Sequence, residues 1–358
     1  MTVHPSPYLP PPEELSTLLP GEPAFRAEQL RRWLYRTPVL EAGAMTNLPE
    51  PVRSVLGGDL YPFSVEVAQS ADKGRTRKWL FRSPTGASVE SVLMGYPRRT
   101  TLCISSQAGC AMGCTFCATG QFGFERQLEA GEIVAQVAYA NAHMRDHGLG
   151  GSPTRVSNVV FMGMGEPLAN YARVRESIRR MVEHMGMGAR SITVSTVGHV
   201  PGMRRLAEEP WAVNLAVSLH AADDELRSSL VPLNRRYPLE EVIAAARHFF
   251  ERKGRRVSIE WTMMDGVNDT DDQARRLARI ARRIGAHVNV IPLNPTPLTA
   301  EQPSPDATIH RFLGLLADEG VNATRRDTRG SEIDGACGQL RVRAAGGEGE
   351  LLTIRSPS

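Results

Sequence analysis

Between about residue 98 and residue 300 one pattern keeps recurring: an apolar run rich in β-branched residues, a polar or glycine-rich segment, then usually an amphipathic stretch. The runs are 100–106, 156–162, 191–195, 213–219, 257–262 and 287–292. They lead into a cysteine-rich loop, Gly163-Met-Gly-Glu-Pro-Leu168, Thr196-Val-Gly198, His220, Met263-Met-Asp-Gly-Val-Asn268 and Asn294-Pro295. Between runs, apolar residues recur at helical spacing, as in Ile133, Val134 and Val137, or Leu277, Ile280, Ala281 and Ile284. Strands alternating with helices must return in the same direction by crossovers, so the pattern dictates an α/β fold of parallel βαβ units. Six units, two short of a closed barrel, predict a partial (β/α)6 TIM-like barrel. Its functional loops lie at the carboxyl ends of the strands. The open side suits a macromolecular substrate.

Flanking segments read differently. Residues 1–20 are Pro-rich and predict a loose arm. Residues 21–62 predict a small helical accessory domain, with Leu30, Trp33 and Leu34 at helical spacing among Arg26, Arg31, Arg32 and Arg36. Residues 63–95 predict a β-hairpin extension with its turn at Pro84-Thr-Gly86. The barrel is expected over 96–300, a C-terminal helix and a cysteine-bearing loop over 301–345, and a tail over 346–358. In the helix, Ile309, Phe312, Leu313 and Leu316 repeat the apolar spacing.

With 41% hydrophobic and 23% charged residues, the chain can bury a core, which excludes wholesale disorder. No apolar run nears the roughly 18 residues that a membrane span requires. Residues 1–12 have neither the basic nor the apolar region of a signal peptide. The expectation is a soluble cytoplasmic protein. Net charge is only +3, yet all but three of the 42 basic residues are arginine, the better bidentate partner for phosphate. That bias fits RNA and fits a GC-rich coding bias equally well.

Five cysteines are too few, and odd in number, for a disulfide framework. Cys110-x3-Cys114-x2-Cys117 sits between a predicted strand and a predicted helix. Three thiolates at this spacing can wrap one face of a 4Fe–4S cube, which normally takes four. One iron would then stay open to a ligand. Zinc is the competing reading, but structural zinc prefers four Cys or His ligands, and neither a second Cys pair nor a nearby His is present.

These residues resemble a known family. The three-cysteine motif with Phe116 before its last member is similar to the signature of the radical S-adenosylmethionine superfamily. Glu90, the segment from Thr101 through Cys117, Gly163-Met-Gly-Glu-Pro-Leu168, Ser195-Thr196, Val217-Ser-Leu-His220, Pro292-Leu-Asn-Pro295 and Gly335-Ala-Cys-Gly338 resemble the bacterial adenine-C2 RNA methyltransferases. That family acts on 23S ribosomal RNA and on certain transfer RNAs, and the likeness runs from about residue 25 to 342. It implies one 4Fe–4S cluster on Cys110, Cys114 and Cys117. It implies two S-adenosylmethionine molecules per turnover, contacted by Gly165, Glu166, Ser195, Ser218, Leu219, His220 and Asn294. Cys337 would be methylated at sulfur, activated by hydrogen abstraction and joined to adenine C2. Glu90 would take the C2 proton. Cys103 would release the product by forming a transient disulfide with Cys337. An external electron donor and a thiol reductant are required partners, and a monomer is expected.

Adenine C2, between two ring nitrogens, is too electron-poor to attack a methyl sulfonium, which is why a radical route is needed. RNA contacts are expected from Arg26, Arg31, Arg32, Lys73, Arg75, Arg77, Lys78, Arg98, Arg99, Arg325, Arg326 and Arg329, with phosphate binding that weakens in salt. The target base would have to be extruded. Two other readings remain at this point: methylation at adenine C8 with the same cysteines, and an iron–sulfur RNA-binding protein without turnover.

Overall fold

The structure is a computed structural model that describes residues 6–56, 60–296, 299–326, 330, 333–336 and 338–340. Its strands are β1 (Ser64–Ala71), β2 (Thr76–Arg82), β3 (Ser88–Tyr96), β4 (Arg99–Cys103), β5 (Gln107–Gly109), β6 (Phe124–Gln127), β7 (Asn158–Phe161), β8 (Ile192–Thr196), β9 (Asn214–Ser218), β10 (Ser258–Met263), β11 (His287–Pro292) and β12 (Ala323–Arg325).

Ten of them form one sheet in the order β1-β2-β3-β4-β7-β8-β9-β10-β11-β12. From β4 to β12 every pair is parallel. All six expected runs are strands of the partial barrel. A seventh parallel strand, β12, was not expected, because Ala323-Thr-Arg325 is too short and polar to show an apolar run.

Helices follow the strands and bury their apolar faces on the sheet. In Ala130–His147, Ile133, Val134 and Val137 are fully buried. In Asp271–Ile284 the buried stripe is Leu277, Ile280, Ala281 and Ile284, with arginines opposite. Asp306–Asp318 buries Ile309, Phe312 and Leu316. Burying each such side chain contributes roughly 1.5–3 kcal/mol, which outweighs any helix propensity. Among the described residues no helix is long and apolar enough to cross a membrane.

The expected hairpin is present, but β3 also pairs antiparallel with β4. The three antiparallel strands β1–β3 therefore continue the barrel sheet directly and do not project from it.

The first residues also depart from expectation, since 6–20 are packed down where a loose arm was predicted. Tyr8 and Leu15 are buried; Tyr8 Oη donates to Leu34 O at 3.1 Å, and Arg180 Nη1 donates to Tyr8 O at 2.8 Å. Proline-rich sequence hides this packing because it lacks periodicity, yet prolines also reduce the entropy lost when a segment is fixed. Gly131 makes the approach possible: a Cβ there would collide with Tyr8 O and lie 2.7 Å from Leu9 Cα. Gly131→Val should therefore lift the segment off the helix and speed proteolytic cleavage within residues 6–20. Limited proteolysis checks this, and an unchanged cleavage rate would contradict it.

Candidate active site

The cysteine loop is held at several points. β5 pairs with β6, a small hairpin that gave no sequence signal, and Cys110 N donates to Gly123 O at 2.7 Å. Thr115 N donates to Leu230 O at 3.1 Å, and Ala118 N donates to Gly338 O at 2.8 Å. Gly113 takes the left-handed φ of +65° that such a tight loop requires. Cys110, Cys114 and Cys117 thereby line one cavity, together with Gly165, Glu166, Ser195, Ser218 and His220.

Burial raises all three thiols: Cys110 is pushed up to about 12, Cys114 well above the usual thiol range, and Cys117 also upward. Charge on one thiol opposes charge on another, with Cys114 penalised by both Cys117 and Cys110. Thiolates form here only when a cation offsets that cost. Among the described residues, no group of three His, Cys, Asp or Glu side chains is already placed to hold a single metal ion. The soft sulfur donor set and its desolvation thus fit an iron–sulfur cluster.

Around the thiols, strand ends present polar groups. Gly165 has φ +98°, and a Cβ there would lie 2.6 Å from Gln107 Cγ, so only glycine fits. Glu166 caps the short helix Pro167–Asn170: Oε1 accepts from Leu168 N at 3.0 Å and Oε2 from Val197 N at 2.9 Å. Burial still pushes its carboxyl up to about 7. The helix-cap role and the place in the cavity coincide in one residue. Ser195 Oγ and Ser218 Oγ lie 3.4 Å apart. His220, at φ +59°, accepts from Thr262 N through Nδ1 at 3.0 Å, which puts its proton on Nε2, and stands edge-on to Phe116 at 4.6 Å. Leu219 and Asn294 are buried next to this wall but do not line the cavity.

Three residues went unrecognised in the sequence. Glu260 lines the cavity on β10, with Oε1 accepting from Asn289 Nδ2 at 2.8 Å and Oε2 from Arg326 Nη1 at 3.3 Å. Thr262 lines it two residues on. Their signal was polar residues at period two, Ser258, Glu260 and Thr262, alternating with apolar ones in a central strand. Arg227 is fully buried and donates to Leu219 O, Val197 O and Asn234 Oδ1 at 3.1, 2.6 and 2.7 Å, all neutral acceptors. Its charge eases ionisation of Cys114. Nothing in Leu226-Arg-Ser-Ser-Leu230 distinguishes it from a surface arginine.

Cys103 and Glu90 lie on a neighbouring face. Cys103 pairs with Val92, and Val92 with Lys78 on its other side; Glu90 is two residues from Val92 along β3. Glu90 is buried and its Oε1 lies 3.0 Å from Lys78 Nζ. Cys337 lies outside the described residues, as does Arg329. Both flanks of Cys337 are described: a Cβ on Gly335 would sit 3.7 Å from Val92 Cγ2, and Gly338 borders the thiol cavity.

Of the expected RNA-contacting cations, Lys78 is buried, which removes it from the surface set. Arg26, Arg31 and Arg325 have acidic partners in Glu22, Glu28 and Asp306. Arg326 meets Glu260. Arg32 is the most exposed of those with a carboxylate nearby, and Arg99 stacks over Tyr96 at 4.5 Å.

Comparison with known proteins agrees with the fold. Residues 104–278 match the family model described as the radical SAM superfamily, and 17–59 match that described as the ribosomal RNA large subunit methyltransferase N-terminal domain. A crystal structure of a radical SAM methyltransferase from Sphaerobacter thermophilus superposes with a TM-score of 0.89, at 47% identity over 94% of this chain and 99% of that one. The fold is that of the radical SAM enzymes. Among curated relatives, the probable dual-specificity RNA methyltransferase RlmN of Frankia alni is 52% identical over 91% of this chain and 80% of its own length. That of Chloroflexus aurantiacus is 50% identical over 92% and 91%. The chain belongs to the RlmN family of dual-specificity RNA methyltransferases.

Burial by the cavity wall holds His220 down to about 3. The folded chain thus keeps it neutral where the unfolded chain binds a proton near 6.5, so its contribution is full above 6.5 and is lost as pH falls from 6.5 toward 3. One such group steepens the decline by about 1.4 kcal/mol per pH unit in that window. His220→Asn tolerates the positive φ and can still accept from Thr262 N. Its denaturant midpoint should fall less between pH 7 and pH 5 than that of the parent chain, and an equal fall would contradict the assignment.

Proposed function

We propose that this chain methylates C2 of a specific adenine in 23S ribosomal RNA, and of an adenine beside the anticodon loop in some transfer RNAs. The route is an S-methylcysteine at Cys337 followed by a transient Cys103–Cys337 disulfide. One observation carries the reading. The segment flanking Cys337 is pinned between two chemical faces, with Gly335 against the β2–β4 face that holds Cys103 and Glu90, and Gly338 against the cavity of the three thiols.

Cys110, Cys114 and Cys117 would hold one 4Fe–4S cluster, and Glu166, Ser195, Ser218 and His220 would surround S-adenosylmethionine, with Gly165 leaving room for it. The chemistry these groups supply when bound is reductive cleavage of a carbon–sulfur bond, giving a radical that abstracts hydrogen. Glu166 is suited to accept from an ammonium group, since each carboxylate oxygen that takes one backbone N–H retains a second lone pair. His220, neutral with Nε2 protonated, offers a donor without adding a charge to the cavity.

On the other face, Cys337 carries the methyl group that becomes the new carbon on adenine. Glu90 takes the C2 proton as general base, and the adduct radical gives one electron back to the site that supplied it. The Cys103 thiol then attacks the Cys337 sulfur, the sulfur–carbon bond breaks, the departing carbon takes the thiol proton to complete the methyl group, and the disulfide that remains is reduced by an external thiol. RNA docks through exposed guanidinium groups on the open side, and a one-electron donor completes the set of partners.

Cys103→Ala should still form the bond between Cys337 and adenine but fail to break it. A covalent RNA–protein species on denaturing gels, with methyladenosine release cut by about 10² or more, is the expected outcome. Wild-type turnover with no adduct would exclude the resolving role.

A further inference from the structure

Lys78 is one of only three lysines in the chain, and it is buried beside an equally buried glutamate. A buried ion pair is a poor way to stabilise a protein, because desolvating two charges costs about as much as their attraction returns, and apolar residues of similar volume do as well or better. The location of this pair calls for another explanation. Direct cross-strand partners project from one side of a sheet, so Lys78, Val92 and Cys103 form a row on one face. Glu90 stands one step along the same face, since it pairs with Leu80, two residues from Lys78. The loop leading to Cys337 lies on that row, with Gly335 against Val92.

Lys78 Nζ makes two contacts there. It lies 3.0 Å from Glu90 Oε1 and donates to the backbone carbonyl of Asp334 at 3.3 Å. A lysine ammonium has three donors and can serve both acceptors at once. One side chain therefore ties the carboxylate on β3 to the backbone three residues before Cys337.

We propose that Lys78 is a positioning residue that holds the Glu90 carboxylate in register with the Cys337 loop. Its ammonium fixes one carboxylate oxygen against the sheet while gripping the backbone at Asp334, so the base and the segment that leads to Cys337 are held as one unit. This rests on the reading of Glu90 as the acceptor of the adenine C2 proton. Lys78 itself touches neither RNA nor S-adenosylmethionine in this role, and the early step, methylation of Cys337, does not depend on it.

The test uses the full chain with its cluster reconstituted anaerobically, ribosomal RNA as substrate, and four variants: Lys78→Met, Lys78→Arg, Glu90→Gln and the double variant Lys78→Met with Glu90→Gln. Four quantities are followed: Cys337 methylation by peptide mass, deoxyadenosine formed, RNA–protein adduct, and methyladenosine released. Lys78→Met should methylate Cys337 and form deoxyadenosine, yet accumulate adduct and lose roughly 10² in release, the scale of a displaced catalytic group. Lys78→Arg, which keeps the charge and the donors, should recover part of that loss. The double variant should be no slower than Glu90→Gln, because a positioning residue has nothing left to position. It also removes both buried charges, so it folds even if Lys78→Met alone is destabilised.

Multiplying losses in the double variant, or equal losses in Lys78→Met and Lys78→Arg, would overturn the inference. So would wild-type release from Lys78→Met while Glu90→Gln stalls, and in that case the reading of Glu90 survives. If Glu90→Gln itself releases product normally without adduct, the reading of Glu90 fails and the role of Lys78 falls with it.

Discussion

Three thiols lining one cavity, Cys114 buried and Cys110 and Cys117 half-buried, cannot all ionise unless a metal offsets the charge, and the surrounding structure follows from that constraint. Cys110, Cys114 and Cys117 oppose one another's ionisation in a desolvated loop. The cation closest to them in effect is Arg227, which is fully buried and satisfied entirely by neutral oxygens. A buried guanidinium with no carboxylate hydrogen-bonded to it is costly by itself. Beside a negatively charged thiolate cluster the two costs offset each other. The same positive charge adds to burial in keeping His220 neutral. Thiols, Arg227 and His220 therefore form one electrostatic unit whose members make sense only together.

A second unit lies on the antiparallel strands. Because β3 pairs with β4, the face bearing Lys78, Glu90 and Cys103 is continuous with the parallel sheet whose strand ends surround the thiols. Strand pairing fixes these side chains more tightly than loops would. The segment flanking Cys337 bridges the two units, with backbone hydrogen bonds from Ala118 N to Gly338 O on one side and the Lys78 contact to Asp334 O on the other. The proposed reaction, which uses both a cluster-bound cofactor and a resolving thiol, would be served by such a bridging segment.

Much of this was legible in the chain itself. Six of the seven parallel strands are apolar runs long enough to stand out, and the cysteine spacing and Gly165-Glu166 are local signals. What stayed hidden depends on contacts between distant positions. Short polar strands such as β12, and the β5–β6 hairpin, are strands only because a neighbour supplies hydrogen bonds. Residues 6–20 look unstructured until Gly131 is seen to admit Tyr8. Lys78 read as a surface cation, because sequence alternation does not reveal that a loop more than 250 residues away covers that face. Glu260 and Arg227 are ordinary charges in sequence and become part of the cavity wall or its support only through sheet order.

The central claim is that three protein thiolates hold the cluster and leave one iron for S-adenosylmethionine. Electron–nuclear double resonance on the reduced, reconstituted protein, with S-adenosylmethionine carrying nitrogen-15 in its amino group, measures this directly. The account predicts a hyperfine coupling from that nitrogen to the cluster, absent without the labelled molecule and lost in Cys114→Ala. A cluster spectrum unchanged by S-adenosylmethionine, with a fourth protein ligand on the remaining iron, would contradict it.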